Sequence, residues 1–253
     1  MSEQRLPGGR VTDPVRVGDT VRRRPGPHSP FVHDLLDHFH RHDWPGAPRV
    51  LGADEQGRDV LTYLDGHVPW DACPPPDPAS LAAVALLLRE CHDLTAGTPL
   101  AGDQEVVCHN DLSPANTVYR DTERGLRPVA FIDWDIAAPG ARVHDVAHVC
   151  WQYLDLGPGV PDAVAAGRGM RVVCDAYGPL DRSILLDTVL WWQDRCWRGI
   201  ERFAAGGDPA MIRLRDDGTA RSVRAAHDWV AAHRAELAAG LGVSGGSPAA
   251  PTP

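Results

Sequence analysis

Lysine is missing from this chain of 253 residues: every one of its 25 cationic side chains is arginine, set against 34 acids for a formal net charge of −9. A surplus of acid on that scale repels a polyphosphate backbone unless a basic face is concentrated somewhere, which argues against a nucleic-acid partner. Long apolar runs are absent too. The longest, residues 81–88, is less than half of what a bilayer crossing demands, so no membrane span is expected. Residues 1–10 contain Glu3, Arg5, Pro7 and Arg10 and no apolar stretch of the kind a secretory signal needs, so the expected location is the cytoplasm. The six cysteines are scattered with no C-x-x-C pair, which excludes a disulfide framework or a zinc knuckle and leaves reduced, buried thiols. Asparagine occurs only twice, at Asn110 and Asn116.

What is present suits a folded enzyme-sized chain: 43% hydrophobic and 23% charged residues can bury a core without staples. Val15-Arg16-Val17 and Thr20-Val21-Arg22-Arg23 flank Gly18-Asp19, the pattern of a β-hairpin. Ser29-Pro30 offers a cap and a first-turn proline, and Phe31, Val32, Leu35, Leu36 and Phe39 follow at helical spacing over residues 30–42. Two further strands are expected at 49–52 and 59–64, around a turn at Glu55-Gln56-Gly57. Residues 1–65 therefore form a small strand-rich lobe, and the proline-rich stretch 68–78 is a connector. Residues 66–241 are expected to be mainly helical, with helices at 78–94, 145–156, 168–177, 181–203 and 219–241. Residues 242–253, rich in Gly, Ser, Pro and Ala, are expected to be disordered.

Between the first two of those helices lies the densest polar cluster, His109-Asn110-Asp111-Leu112-Ser113-Pro114-Ala115-Asn116, with Asp133 at the end of the β-like run Phe131-Ile132-Asp133. Phosphoryl transfer needs a carboxylate near the attacking hydroxyl and oxygen ligands that hold Mg²⁺ against nucleotide phosphates. The spacing H-x-D-x-x-x-x-N followed by D supplies both. Asp111 would orient or accept the hydroxyl proton, and Asn116 and Asp133 would hold the ion. A turn built from Asn, Asp, Ser and Pro for local reasons is the plainer explanation; it leaves the distant Asp133 unaccounted for.

Residues 107–149, with HNDLSPANTVYR and AFIDWDIAAPGARVHDVAH, resemble the aminoglycoside phosphotransferase family, and LPGGRVTDPVRVGDTVRRRPG and VCDAYGPLDRSILLDTV extend the likeness over most of the chain. The resemblance implies an α+β, protein-kinase-like fold of two lobes and transfer of phosphate from ATP or GTP, with Mg²⁺, to a hydroxyl of a small molecule. By motif match Asp111 takes the catalytic position, Asn116 and Asp133 the metal positions, His109 a loop-supporting position, and Asp145 a brace acting through the loop's backbone. The nucleotide lobe departs from the pattern because kinase-like folds place a lysine on a strand. Val21 and Arg23 share one strand face, so Arg23 is the candidate cation for the phosphates, and Arg22, on the other face, is the weaker one. Its acidic partner cannot be assigned, since residues 30–42 contain no Glu and their acids, Asp34 and Asp37, fall on the polar side. Tyr63 and Leu64 are candidates for the nucleotide base, and Gly8 and Gly9 for a close backbone approach to phosphate.

Two other arrangements compete. A kinase-like binding module with little or no catalysis, serving immunity or regulation, would suit the shortened nucleotide lobe. A metal phosphohydrolase of the HD type would use His109, Asp111, His144, Asp145 and His148 as ligands. Trp191 and Trp192 with Asp187 and Asp194 could also form an aromatic, acidic wall for a cationic substrate.

Overall fold

A computed structural model of the chain describes residues 3–7, 14–69, 77–123 and 125–243. The glycine pair Gly8 and Gly9 lies outside the described residues, as does most of the tail, 244–253. The chain forms two compact units, Met1–Pro76 with Leu86–Asp145, and Asp77–Ala85 with Val146–Pro253. This division differs from a boundary near Asp65: the residues of the catalytic-type loop belong to the same unit as the strand-rich N-terminal region.

In the first unit, strands β1 (Gln4–Arg5), β2 (Val15–Val17), β3 (Thr20–Arg23), β4 (Val50–Ala53) and β5 (Asp59–Thr62) make an antiparallel sheet in the order β1-β2-β3-β5-β4. Gly18, at φ 61°, takes the first central position of the two-residue turn that sets Val17 opposite Thr20. A positive φ there matches the twist of the hairpin and costs glycine nothing. Helix α1 (Ser29–Arg41) buries Val32, Leu35, Leu36 and Phe39 along one stripe, each contributing about 1.5–3 kcal/mol by leaving water. Ser29 does not cap it. His28 occupies the cap position without a side-chain bond, while the Ser29 hydroxyl accepts from the Gly26 amide and donates to Asp59.

Helix α2 (Pro78–Thr95) leads to the buried strand β6 (Val106–Cys108), whose Val107 amide donates to the Thr95 hydroxyl at 3.0 Å. A short 3₁₀ turn, Pro114–Asn116, opens the hairpin of β7 (Thr117–Thr122) and β8 (Gly125–Phe131). Strand β9 (Ala138–Gly140) returns to pair with β6, and helix α3 (Arg142–Tyr153) follows. The polar residues of interest thus sit between a buried strand and the ends of a hairpin.

The second unit holds α4 (Ala163–Tyr177), α5 (Leu185–Ala205), α6 (Pro209–Asp216), α7 (Thr219–Ala232) and α8 (Arg234–Leu241). The single helix expected over 219–241 is two, broken at His233, whose φ and ψ of −103° and 21° leave the helical region. Helix α6 was signalled locally by Asp208-Pro209, an acid whose carboxylate accepts the Ala210 and Met211 amides ahead of a first-turn proline. None of the described helices is long and apolar enough to cross a membrane.

Helices α4 and α8 meet through glycine. A Cβ on Gly240 would lie 2.2 Å from the Val164 carbonyl, and one on Gly167 would lie 2.3 Å from that of Leu237. Gly240→Ala therefore forces backbone apart and is expected to destabilise the fold by about 2 kcal/mol. Gly199→Ala, within α5 where a Cβ meets nothing within 4 Å, should instead stabilise it by about 0.5–1 kcal/mol. Thermal unfolding of the two variants checks the opposite signs.

Candidate active site

The loop after β6 is shaped by one buried carboxylate. Asp145, in the first turn of α3, accepts the amides of His109 at 2.7 Å and Asn110 at 2.9 Å, and His92 reaches the same carboxylate at 3.1 Å. Burial alone pushes Asp145 up, but the hydrogen bond and charge of His92, the His109 imidazole and the Asn110 amide together hold it below the ordinary carboxylate range. Asn110 can then adopt φ 66°, a left-handed turn that asparagine tolerates better than most residues.

His109 is fully buried against Trp134, ring centroids 4.4 Å apart. Its Nδ1 accepts the Asp111 amide, so Nε2 carries the proton and donates to the Ile132 carbonyl at 3.0 Å. The loop is thereby tied to the end of β8. Asn116 completes it: its Nδ2 donates to both the carbonyl and the Oδ2 of Asp111, at 2.8 and 2.9 Å. With the amide nitrogen so engaged, the Asn116 Oδ1 is the atom left for a ligand.

Asp133 leaves β8 in a left-handed conformation, φ 64°, with its side chain 47% exposed. Burial and the nearby charges, Asp133 foremost, push Asp111 up to about 7 despite the bond from Asn116. The surrounding protein and the charge of Asp135 likewise raise Asp133 to about 6, with Arg23 pulling the other way. Two carboxylates crowded this way are relieved by a divalent cation. The oxygens of Asn116 and Asp133 are the hard donors that Mg²⁺ prefers, so these residues fit such an ion.

Arg23 is 6% exposed, and its Nη1 contacts Asp135 and lies 3.8 Å from Asp133. Arg22 turns the other way and pairs with Asp54. Arg23, Asn116 and Asp133 line a cavity of about 180 Å³ whose apolar walls include Val21, Leu61, Leu64 and Val118. Tyr63 lines it too, with the Arg16 guanidinium 3.6 Å over its ring. Gly66 permits the wall to close, since a Cβ there would lie 2.5 Å from Val118. The cavity thus combines apolar walls with one cation and oxygen donors among its lining residues.

Residues 95–181 match the model of the phosphotransferase enzyme family. A trifolitoxin immunity protein of Rhizobium leguminosarum bv. trifolii is 31% identical over 200 residues, covering 68% of this chain and 73% of its own. The chain belongs to the phosphotransferase enzyme family. Its fold is that of the kinase-like members. The GDP complex of an aminoglycoside 2'-phosphotransferase superposes with a TM-score of 0.55 at 15% identity, over 96% of this chain and 93% of that one. An aminoglycoside phosphotransferase of Streptomyces rimosus, in complex with ADP and streptomycin, gives 0.57 at 16% identity over 75% and 90%.

Three partners escaped sequence reasoning. Asp135 meets Arg23, His92 meets Asp145, and Asp59, opposite Arg23 on β5, is met by His33 of α1. Asp34 and Asp37 are exposed, and Asp37 is bound by Arg41. The acidic wall is also not there for a cationic ligand: Arg234 grips both oxygens of Asp187, and Arg198 those of Asp194. An HD-type metal site fails on its own atoms. Both His109 nitrogens and both Asp145 oxygens are committed to the bonds above. Among the described residues, the His, Cys and acid ligand atoms that do converge are those of His92, Cys108 and Asp145. There burial drives the Cys108 thiol far above its ordinary value, so it offers no thiolate.

Proposed function

We propose that the protein is an ATP-dependent, Mg²⁺-assisted phosphotransferase that acts on a hydroxyl of a small molecule, an aminoglycoside-like antibiotic, an amino alcohol or a sugar, in the cytoplasm. The observation that carries this is that Arg23, Asn116 and Asp133 line one largely apolar cavity, with Asp111 bonded to Asn116. Nucleotides in the similar structures, GDP in one and ADP in another, support a nucleotide in that cavity; GTP is the alternative donor.

In this reading Asn116 and Asp133 would hold Mg²⁺, which when bound would neutralise charge on the phosphates. Arg23 grips phosphate oxygens, and Tyr63 and Leu64 bound the base. Asp111, steadied by Asn116, orients the acceptor hydroxyl and takes its proton as the oxygen bonds to the γ-phosphorus and the bond to the β,γ-bridging oxygen breaks, releasing ADP. His109 and Asp145 hold the loop. Positioning and charge do most of the work, and no phosphoenzyme is required. Calorimetric titration with ATP and with GTP, with and without Mg²⁺, followed by a phosphate-transfer screen over a hydroxyl library, tests it; no nucleotide binding would end it.

A second reading has one specific observation in its favour, the identity with the trifolitoxin immunity protein. The chain would then be a nucleotide-binding immunity module with weak or no transfer. Protection of sensitive cells that survives Asp111→Asn would favour it. If Arg23 serves the phosphates, Arg23→Ala should raise the ATP concentration for half-maximal rate by about tenfold or more, and Arg22→Ala, which only loses Asp54, by less than about twofold. Steady-state kinetics of the two variants decide between the strand faces.

A further inference from the structure

The sheet supplies a cation for the phosphates, but α1 supplies no acid to aim it: its exposed acids are Asp34 and Asp37, and its His33 Nε2 lies 3.1 Å from Asp59. Arg23 nonetheless needs a partner. A guanidinium so nearly buried holds a fixed geometry only if a carboxylate anchors one edge and leaves another edge for the ligand. Asp135 meets the Nη1 edge. The Arg23 Nε is buried and has no hydrogen-bond partner among the described residues, a donor whose desolvation is uncompensated and which lies in a side chain lining the cavity. An unpaired buried donor of this kind is costly in the free protein and is satisfied when an anionic oxygen arrives.

The connection between β8 and β9 makes this possible. Asp133 and Asp135 are two residues apart, and the left-handed backbone at Asp133 lets both acids approach the same Arg23 nitrogen, Asp135 in contact and Asp133 at 3.8 Å. Trp134, between them, is 1% exposed and packed on His109 and Phe39. One short segment thus provides two different services: Asp133 faces the cavity with Asn116, while Asp135 does not line it.

We infer that Asp135 is a positioning residue that anchors Arg23 so that its remaining edge meets the nucleotide's phosphates, replacing the acid that α1 lacks. This rests on the nucleotide reading above and assigns within it a role distinct from metal binding.

The test is a double-mutant cycle on binding of ATP with Mg²⁺, measured by calorimetry without any acceptor, in the parent, D135N, R23M and the double variant. Asp135 acting through Arg23 weakens binding about tenfold in D135N, but less than about twofold when R23M is already present. D135E, which keeps the charge, should recover most of the loss. A metal ligand or a purely structural residue would instead cost the same in both backgrounds, and that additive result, or a D135N protein that binds as the parent does, overturns the assignment while the nucleotide reading stands. If the parent binds neither ATP nor GTP with Mg²⁺, both fall. Unfolding curves of the four proteins identify any variant that has lost its fold, and for such a variant D135E against R23K supplies the comparison: equal weakening by D135E alone would count against the inference.

Discussion

Asp111→Asn is expected to lower phosphoryl transfer by about 10²–10⁴-fold, the ordinary contribution of a positioned base, while nucleotide affinity stays within about twofold of the parent. The separation of the two effects follows from the geometry. Asp111 is held by Asn116 through one carboxylate oxygen, and an asparagine carbonyl there can accept the same bond, so the loop and the Asn116 Oδ1 keep their places. What is lost is the proton acceptor. Burial, and after it the charge of Asp133, raise Asp111 to about 7, which gives it more affinity for a proton than a surface carboxylate has. Rapid-quench transfer and calorimetry on the same preparation measure the two quantities, and a variant that turns over at near the parental rate would remove Asp111 from the chemistry.

Asp145→Ala is expected to damage stability and activity together. Its carboxylate is buried and accepts from two loop amides and His92; truncation removes the shared acceptor of all three bonds, at about 3–5 kcal/mol. The His109–Asn110 backbone then has no reason to keep its left-handed turn, and the Asp111 carboxylate loses its position. The pH dependence has a definite sign. Because folding lowers Asp145 below its ordinary value, its contribution is complete above about pH 3.9 and is lost as pH falls through the lower folded value. Urea unfolding should therefore show the gap between parent and variant wide at neutral pH and narrowing only in strong acid. A gap that closes already near neutrality would remove the Asp145 carboxylate as the source of the stabilisation.

The parts of the molecule that were legible in the sequence are those set by short-range geometry. The hairpin at Gly18-Asp19, the apolar stripe of α1 and the spacing of Asp111, Asn116 and Asp133 each depend on residues close along the chain or on one hairpin. The rest depends on encounters that no local pattern encodes. Asp135 lies 112 positions from Arg23, and His92 lies 53 from Asp145. A strand face could be assigned to Arg23 by alternation, but which acid it would meet depended on how the β8–β9 connection folds back. Likewise the acids of α5 read as a charged wall until their arginines were placed: Arg198 sits one helical turn from Asp194, a pairing that spacing could have suggested, whereas Arg234 comes from another helix. The break at His233 had no proline or glycine to announce it.

Trp134 has a mechanical consequence. Its indole is wedged among the rings of His109, Phe39 and Trp44, and its Nε1 donates to the Phe131 carbonyl, so the peptide between the two flanking acids cannot slide. Any response to an arriving ion must come from side-chain torsions pivoting on a fixed fulcrum. Little conformational freedom then remains to be surrendered when the ion arrives.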